Sequence, residues 1–145
     1  MTVPTARRRA REVAFRVAYQ ADVAGDAYAQ AWRIRSGQED KLSDDQRQLV
    51  DDLIAALEGR GPEIDGELAA AMAGRWTVAR LAATDRAVLR VAIAEMLARP
   101  GSPARVVLDE AIEIARTYGS EESGRFVNGV LDHAARRLRP DELAG

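Results

Sequence analysis

The chain has 145 residues, no cysteine, one histidine and a net charge of −2, long enough to bury about two-thirds of its unfolded surface as a single domain over residues 1–145. The lack of cysteine excludes a disulfide framework, a thiolate metal site and a cysteine nucleophile. No apolar run approaches the roughly 20 residues that span a bilayer, and the N-terminal arginines are not followed by the apolar stretch of a secretory signal, so a soluble, cytoplasmic protein without a membrane partner is expected.

The elements read as helices throughout, since no alternating run bounded by turns suggests a strand. The first should begin near Thr5 and run to Ala24, before Gly25. Residues 1–20 carry Arg7, Arg8, Arg9, Arg11 and Arg16 against Glu12 alone, a net +4 that leaves −6 for the remaining 125 residues. Positive potential is thereby gathered at one end. A short helix over 27–35 follows. Ser43 and Gln46 then form a capping box for a helix from Asp44 to about Glu58. Pro62 suits the first turn of the next helix, which ends near Ala73. A short turn over 77–81 precedes Thr84, the expected cap of a periodic helix reaching Ala98. Ser102 and Pro103 read as N-cap and first residue of a helix to Tyr118, with Gly119 closing it. Ser120 caps the last helix, which should fray after Leu138. Residues 1–5 and 140–145 are expected to be flexible. The fold class is all-α, with about seven helices.

The arginine run sits at a helix N-terminus, where cations oppose the helix dipole, so stability explains it poorly. Arg8, Glu12 and Arg16 are spaced for a modest i, i+4 ladder. Arg7, Arg9 and Arg11 have no obvious local partner, and a cluster of guanidiniums suits phosphates and base edges of RNA.

The last helix holds Gly124 and Gly129 within an apolar pattern of Val127, Val130, Leu131, Ala134 and Leu138. Each glycine costs roughly 1 kcal/mol relative to alanine in a helix interior. Close approach of a neighbouring helix or of a ligand would explain them. Between them stand Arg125, Phe126 and Asn128, side-chain types that contact unstacked bases and phosphates. Two readings stay open for each of the last two: Phe126 as core edge or stacking platform, and Asn128 as a tertiary hydrogen bond or a base contact.

Nothing supports catalysis or a bound cofactor. His133 is a lone histidine without cysteine and cannot build the usual zinc site. Neighbouring acids such as Asp44 and Asp45 point to different sides of a helix. GRGPEIDG lacks the lysine and the strand of a phosphate loop.

Three stretches in order, ARRRARE (6–12), DRAVLRVAIAEML (85–97) and LDEAIEIARTYGSEESGRFVNGVLD (108–132), resemble the signatures of the NusB family of transcription antitermination factors. The likeness is weak between about 26 and 80. It implies two roughly perpendicular three-helix halves and a non-catalytic role with NusE, a small-subunit ribosomal protein. Together these would hold a boxA-type single-stranded element of nascent ribosomal RNA and join RNA polymerase through other Nus factors. The likeness further implies that Arg7, Arg8, Arg9, Arg11, Arg125, Phe126 and Asn128 serve RNA. Glu122 would weaken RNA binding by charge repulsion, and Asp85 with Arg86 would dock NusE.

The chain departs from the family pattern at Asp109, where Asn is usual, and at Ala94 and Ala18, where larger side chains are common. Two other readings remain. One is a homodimer that buries the basic helix. The other is a fragment of an RNA-modifying enzyme, since similar domains occur ahead of ribosomal RNA methyltransferases.

Overall fold

The computed structural model describes residues 6–38 and 41–143. Among them the chain is all-helical: α1 (Ala6–Ala24), α2 (Tyr28–Ser36), α3 (Asp44–Gly59), α4 (Gly61–Met72), a 3-10 turn (Val78–Arg80), α5 (Ala83–Ala98), α6 (Ala104–Tyr118), α7 (Glu121–Leu138) and α8 (Pro140–Leu143). The expected start at Thr5 lies outside the described residues.

Local chemistry sets several of these boundaries. At α3 the Ser43 hydroxyl accepts from the Gln46 amide at 3.1 Å, and the Gln46 side chain accepts from the Ser43 amide at 2.8 Å. This reciprocal cap satisfies two otherwise orphaned donors. Only Arg60 separates α3 from α4, ending one helix and opening the other. Ala73 closes α4 in the left-handed region at φ 52°, ahead of Gly74 at φ 78°. A non-glycine residue held there costs about 1–2 kcal/mol, and Gly74 makes the rest of the turn easy. At α7 the Ser120 hydroxyl accepts from the Ser123 amide at 3.1 Å. Gly119 is required on different grounds from a left-handed cap: a Cβ there would stand 2.8 Å from the Ala115 carbonyl oxygen.

Three expectations differ from the structure, two of them through long-range contacts. Thr84 does not cap α5, which begins one residue earlier behind Ala82 with no side-chain cap. Pro103 rather than Ser102 occupies the N-cap of α6, and the Ala104 amide donates to Glu142 Oε1 at 2.8 Å instead. Residues 140–143, expected to be loose, form α8 with Leu143 buried. Arg139 donates to the carbonyls of Met96, Arg99 and Ser102 at 2.9–3.0 Å, tying this segment to the end of α5.

The Ala104 amide, and then Arg139, hold the Glu142 carboxyl below the usual glutamate range. A carboxyl depressed on folding contributes stability above its unfolded pKa and loses that contribution as pH falls through the folded value. Glu142→Gln should therefore separate from the parent most at neutral pH, the gap closing in acid. Urea midpoints measured across that range check this; a gap independent of pH would refute it.

The core runs through the whole helix set. α5 is its spine, with Val88, Leu89, Val91, Ile93 and Met96 buried. It packs on α1 and α3 on one side and on α4, α6 and α7 on the other. No helix among the described residues is long and apolar enough to cross a membrane.

Candidate nucleic-acid and partner interface

The arginine run of α1 faces two ways. Arg11 is 4% exposed. Its guanidinium forks onto Glu95 of α5, Nε to Oε1 at 2.8 Å and Nη2 to Oε2 at 2.7 Å. Burial disfavours the cation, but the hydrogen bonds and charge of Glu95, then the charge of Glu110, outweigh it and hold Arg11 above its ordinary pKa. Arg8 pairs with the buried Glu110 of α6. Arg11 is thus a core residue and offers nothing to an external phosphate, which corrects its expected RNA role. Its position was legible, since Arg11 lies i, i+3, i+4 and i+7 from Ala14, Phe15 and Ala18 on the apolar face of α1.

Arg7 and Arg9 point outward. Arg7 makes a 3.4 Å ion pair with Asp45 in which both side chains are well exposed. Such a pair contributes at most about 1 kcal/mol and yields readily to a phosphate. Arg16, also exposed, lies over the Tyr118 ring with its guanidinium 5.3 Å from the centroid, rather than in a ladder with Glu12.

On α7 the two glycines do different work. A Cβ at Gly124 would stand 2.8 Å from Arg116 Cγ, because the stem of Arg116 crosses the helix there. At Gly129 nothing lies within 4 Å, and the position opens onto a cleft between α4 and α7. Phe126 is partly buried at the core edge and also meets the Trp76 ring edge-on, centroids 6.4 Å apart at 76°. Phe126 is thus a core-edge residue whose side chain remains partly accessible. Arg125 and Asn128 are exposed, and Asn128 makes no tertiary hydrogen bond among the described residues.

Trp76 is 53% exposed, and with Phe126 it forms a wall between two clefts. One is lined by Arg80, Asp85, Glu122 and Ser123; the other by Arg75, Arg125, Gly129 and His133. The structure thus brings Asp85, Glu122 and Phe126 together, although they were read separately. Asp85 has a carboxylate oxygen, Oδ1, that is shielded from solvent with no hydrogen-bond partner. Arg86 belongs elsewhere. It donates to Asp22 at 2.7 and 3.0 Å and to the carbonyls of Leu81 and Val78 at 2.9 and 3.2 Å. It clamps the 3-10 turn onto α1, and its donors are spent inside the protein rather than offered to a partner. Arg90 is similarly engaged, bidentate to Asp65 at 2.9 and 3.0 Å.

Residues 8–136 match the model of the NusB family. The chain belongs to the NusB family. It is 41% identical over 138 residues to a transcription antitermination protein NusB of Anaeromyxobacter dehalogenans, covering 92% of this chain and 93% of that one. With its counterpart in Koribacter versatilis it shares 38% over 139 residues, 95% and 94% of the two chains. Among solved structures it is similar to T. maritima NusB, with TM-score 0.84, 32% identity and coverage of 98% and 97%. A NusB in complex with NusE and double-stranded RNA has the same fold, at TM-score 0.82 and 23% identity over 91% of this chain and 97% of that one. The NusB family comprises non-catalytic antitermination and RNA-binding factors.

Against that NusB background, reading the sequence alone missed Trp76, Arg75 and His133 as neighbours of Phe126. The signal available was a large aromatic placed in a turn, outside any apolar periodicity. The pairing itself depends on how the end of α4 folds over α7, which no local pattern records.

Proposed function

We propose that this protein is a cytoplasmic, non-catalytic antitermination factor that binds RNA together with NusE. The pair would hold a boxA-like single-stranded element of nascent ribosomal RNA and act on RNA polymerase through other Nus factors. What supports this reading is that a chain matching the NusB family over residues 8–136 has outward guanidiniums on α1 and an exposed Trp76 ring set against Phe126 of α7. Arg7 and Arg9 supply phosphate contacts, with Arg8 held between them and Glu110. Arg125 and Asn128 offer a cation and a bidentate amide, and Phe126 offers a ring edge to a base. Glu122 repels the backbone and limits affinity in the absence of the partner. The partly exposed Asp85, without Arg86, is the docking point for the ribosomal protein.

The test is fluorescence anisotropy of a boxA-like RNA titrated with this protein, alone and with NusE, against a scrambled RNA. Selective binding that tightens with NusE, and loses that tightening in Asp85→Lys, is the expected result. Equal binding of both RNAs, with no effect of NusE, would overturn it. A homodimer has one observation in its favour, the exposed Tyr19 and Val23 along α1. Selective RNA binding by a species that sediments as a monomer would dispose of it as the active form.

A further inference from the structure

The two clefts beside the Trp76–Phe126 wall have opposite characters. The cleft toward α5 carries Asp85 and Glu122. The cleft between α4 and α7 has no carboxylate in its lining, an apolar floor that includes Met72 and Val130, and Arg75 and Arg125 at its edge. Neither arginine forms an ion pair among the described residues, although most of the chain's other recorded arginine contacts are to carboxylates. Gly129 leaves the cleft open where any other residue would project a side chain into it. The positions 126, 129, 130 and 133 share one face of α7, so this opening is continuous along the helix.

An apolar-floored cleft bordered by an indole, with two guanidiniums outside any ion pair and no acid in its lining, fits a ligand that is both aromatic and anionic. We propose that this cleft is a nucleotide pocket. One unpaired base of single-stranded RNA stacks on Trp76, and Arg75 and Arg125 take the phosphates on either side of it. The proposal rests on the RNA-binding reading above and adds to it a site built by Trp76, Arg75 and Gly129, away from the arginine helix. The wall sorts its ligands by charge: the polyanion is turned from the Asp85–Glu122 side toward the α4–α7 side. An acidic peptide would engage the arginines but leave the indole face idle.

The chain has two tryptophans, and Trp32 is buried with Nε1 donating to Asp51 at 2.7 Å. Fluorescence quenching on binding therefore reports Trp76. A short single-stranded RNA of mixed sequence, added to the full chain with NusE present, should quench the emission, and Trp76→Phe should abolish the quenching while keeping the affinity. Trp76→Ala should weaken binding about tenfold or more, the loss expected for one stacked base. Gly129→Leu should weaken it comparably, because it fills the slot without touching a ring or a cation. It substitutes a better helix former at an exposed position, so folding is preserved.

If RNA raises the anisotropy but leaves the fluorescence and both variants' affinities unchanged, the pocket is refuted and RNA binding stands. Quenching by polyglutamate equal to that by RNA would refute the base assignment. No binding of RNA under any condition would remove the pocket and the functional reading together.

Discussion

Arg11→Ala should destabilise the protein by about 3–5 kcal/mol, because it leaves the Glu95 carboxylate buried without its cation. The loss appears as a fall in the urea midpoint. Arg11→Met combined with Glu95→Leu should restore most of that stability or exceed it, since an apolar pair of similar volume carries no desolvation penalty. RNA affinity, measured under conditions where Arg11→Ala remains folded, should match that of the parent. A variant of undiminished stability that failed to bind RNA would reverse the assignment and place Arg11 back on the surface.

Arg7→Ala combined with Arg9→Ala should have the opposite profile. Both positions are exposed, and the Arg7–Asp45 pair is loose, so stability should change by less than about 1 kcal/mol. RNA binding should weaken, and its dependence on salt should flatten. Each phosphate contact to a single strand contributes about 0.7 to the slope of log K against log salt, so losing two should reduce it by about 1.4. An unchanged slope would mean that α1 does not touch the RNA backbone. The two experiments together divide one arginine run into an inner and an outer half. That division is the main correction the structure makes to the expected site.

What the sequence made legible follows the range of the interactions. Ser43 with Gln46 and Ser120 with Ser123 are local devices, and the helices they start lie where the pattern put them. Thr84 and Ser102 carry the same local signal and fail as caps. In the second case a distant group, Glu142, supplies what the local side chain was expected to supply. The site divides in the same way. The exposure of Arg7, Arg9, Arg125 and Asn128 agrees with a surface role inferred from residue type. The apolar face of α1 marks Arg11 as inward, but the partners of Arg11 and Arg86, Glu95 and Asp22, stand 84 and 64 residues away and no local pattern names them. An unpaired cation in a sequence is unpaired only with respect to its neighbours along the chain. Trp76 was overlooked for a related reason: only tertiary packing sets it against Phe126.

The placement of α5 has a consequence for how the molecule comes apart. A helix flanked by α1 and α3 on one side and by α4, α6 and α7 on the other cannot lose either flank and keep its apolar surface covered. Release of the first three helices would strip α5 and expose the ends of its ion pair with α1, while release of the others would leave it on half a bed. The buried residues of both halves belong to one continuous hydrophobic core. The protein should accordingly melt as one cooperative unit, without a half-folded intermediate. A substitution on either side is then felt over the whole molecule.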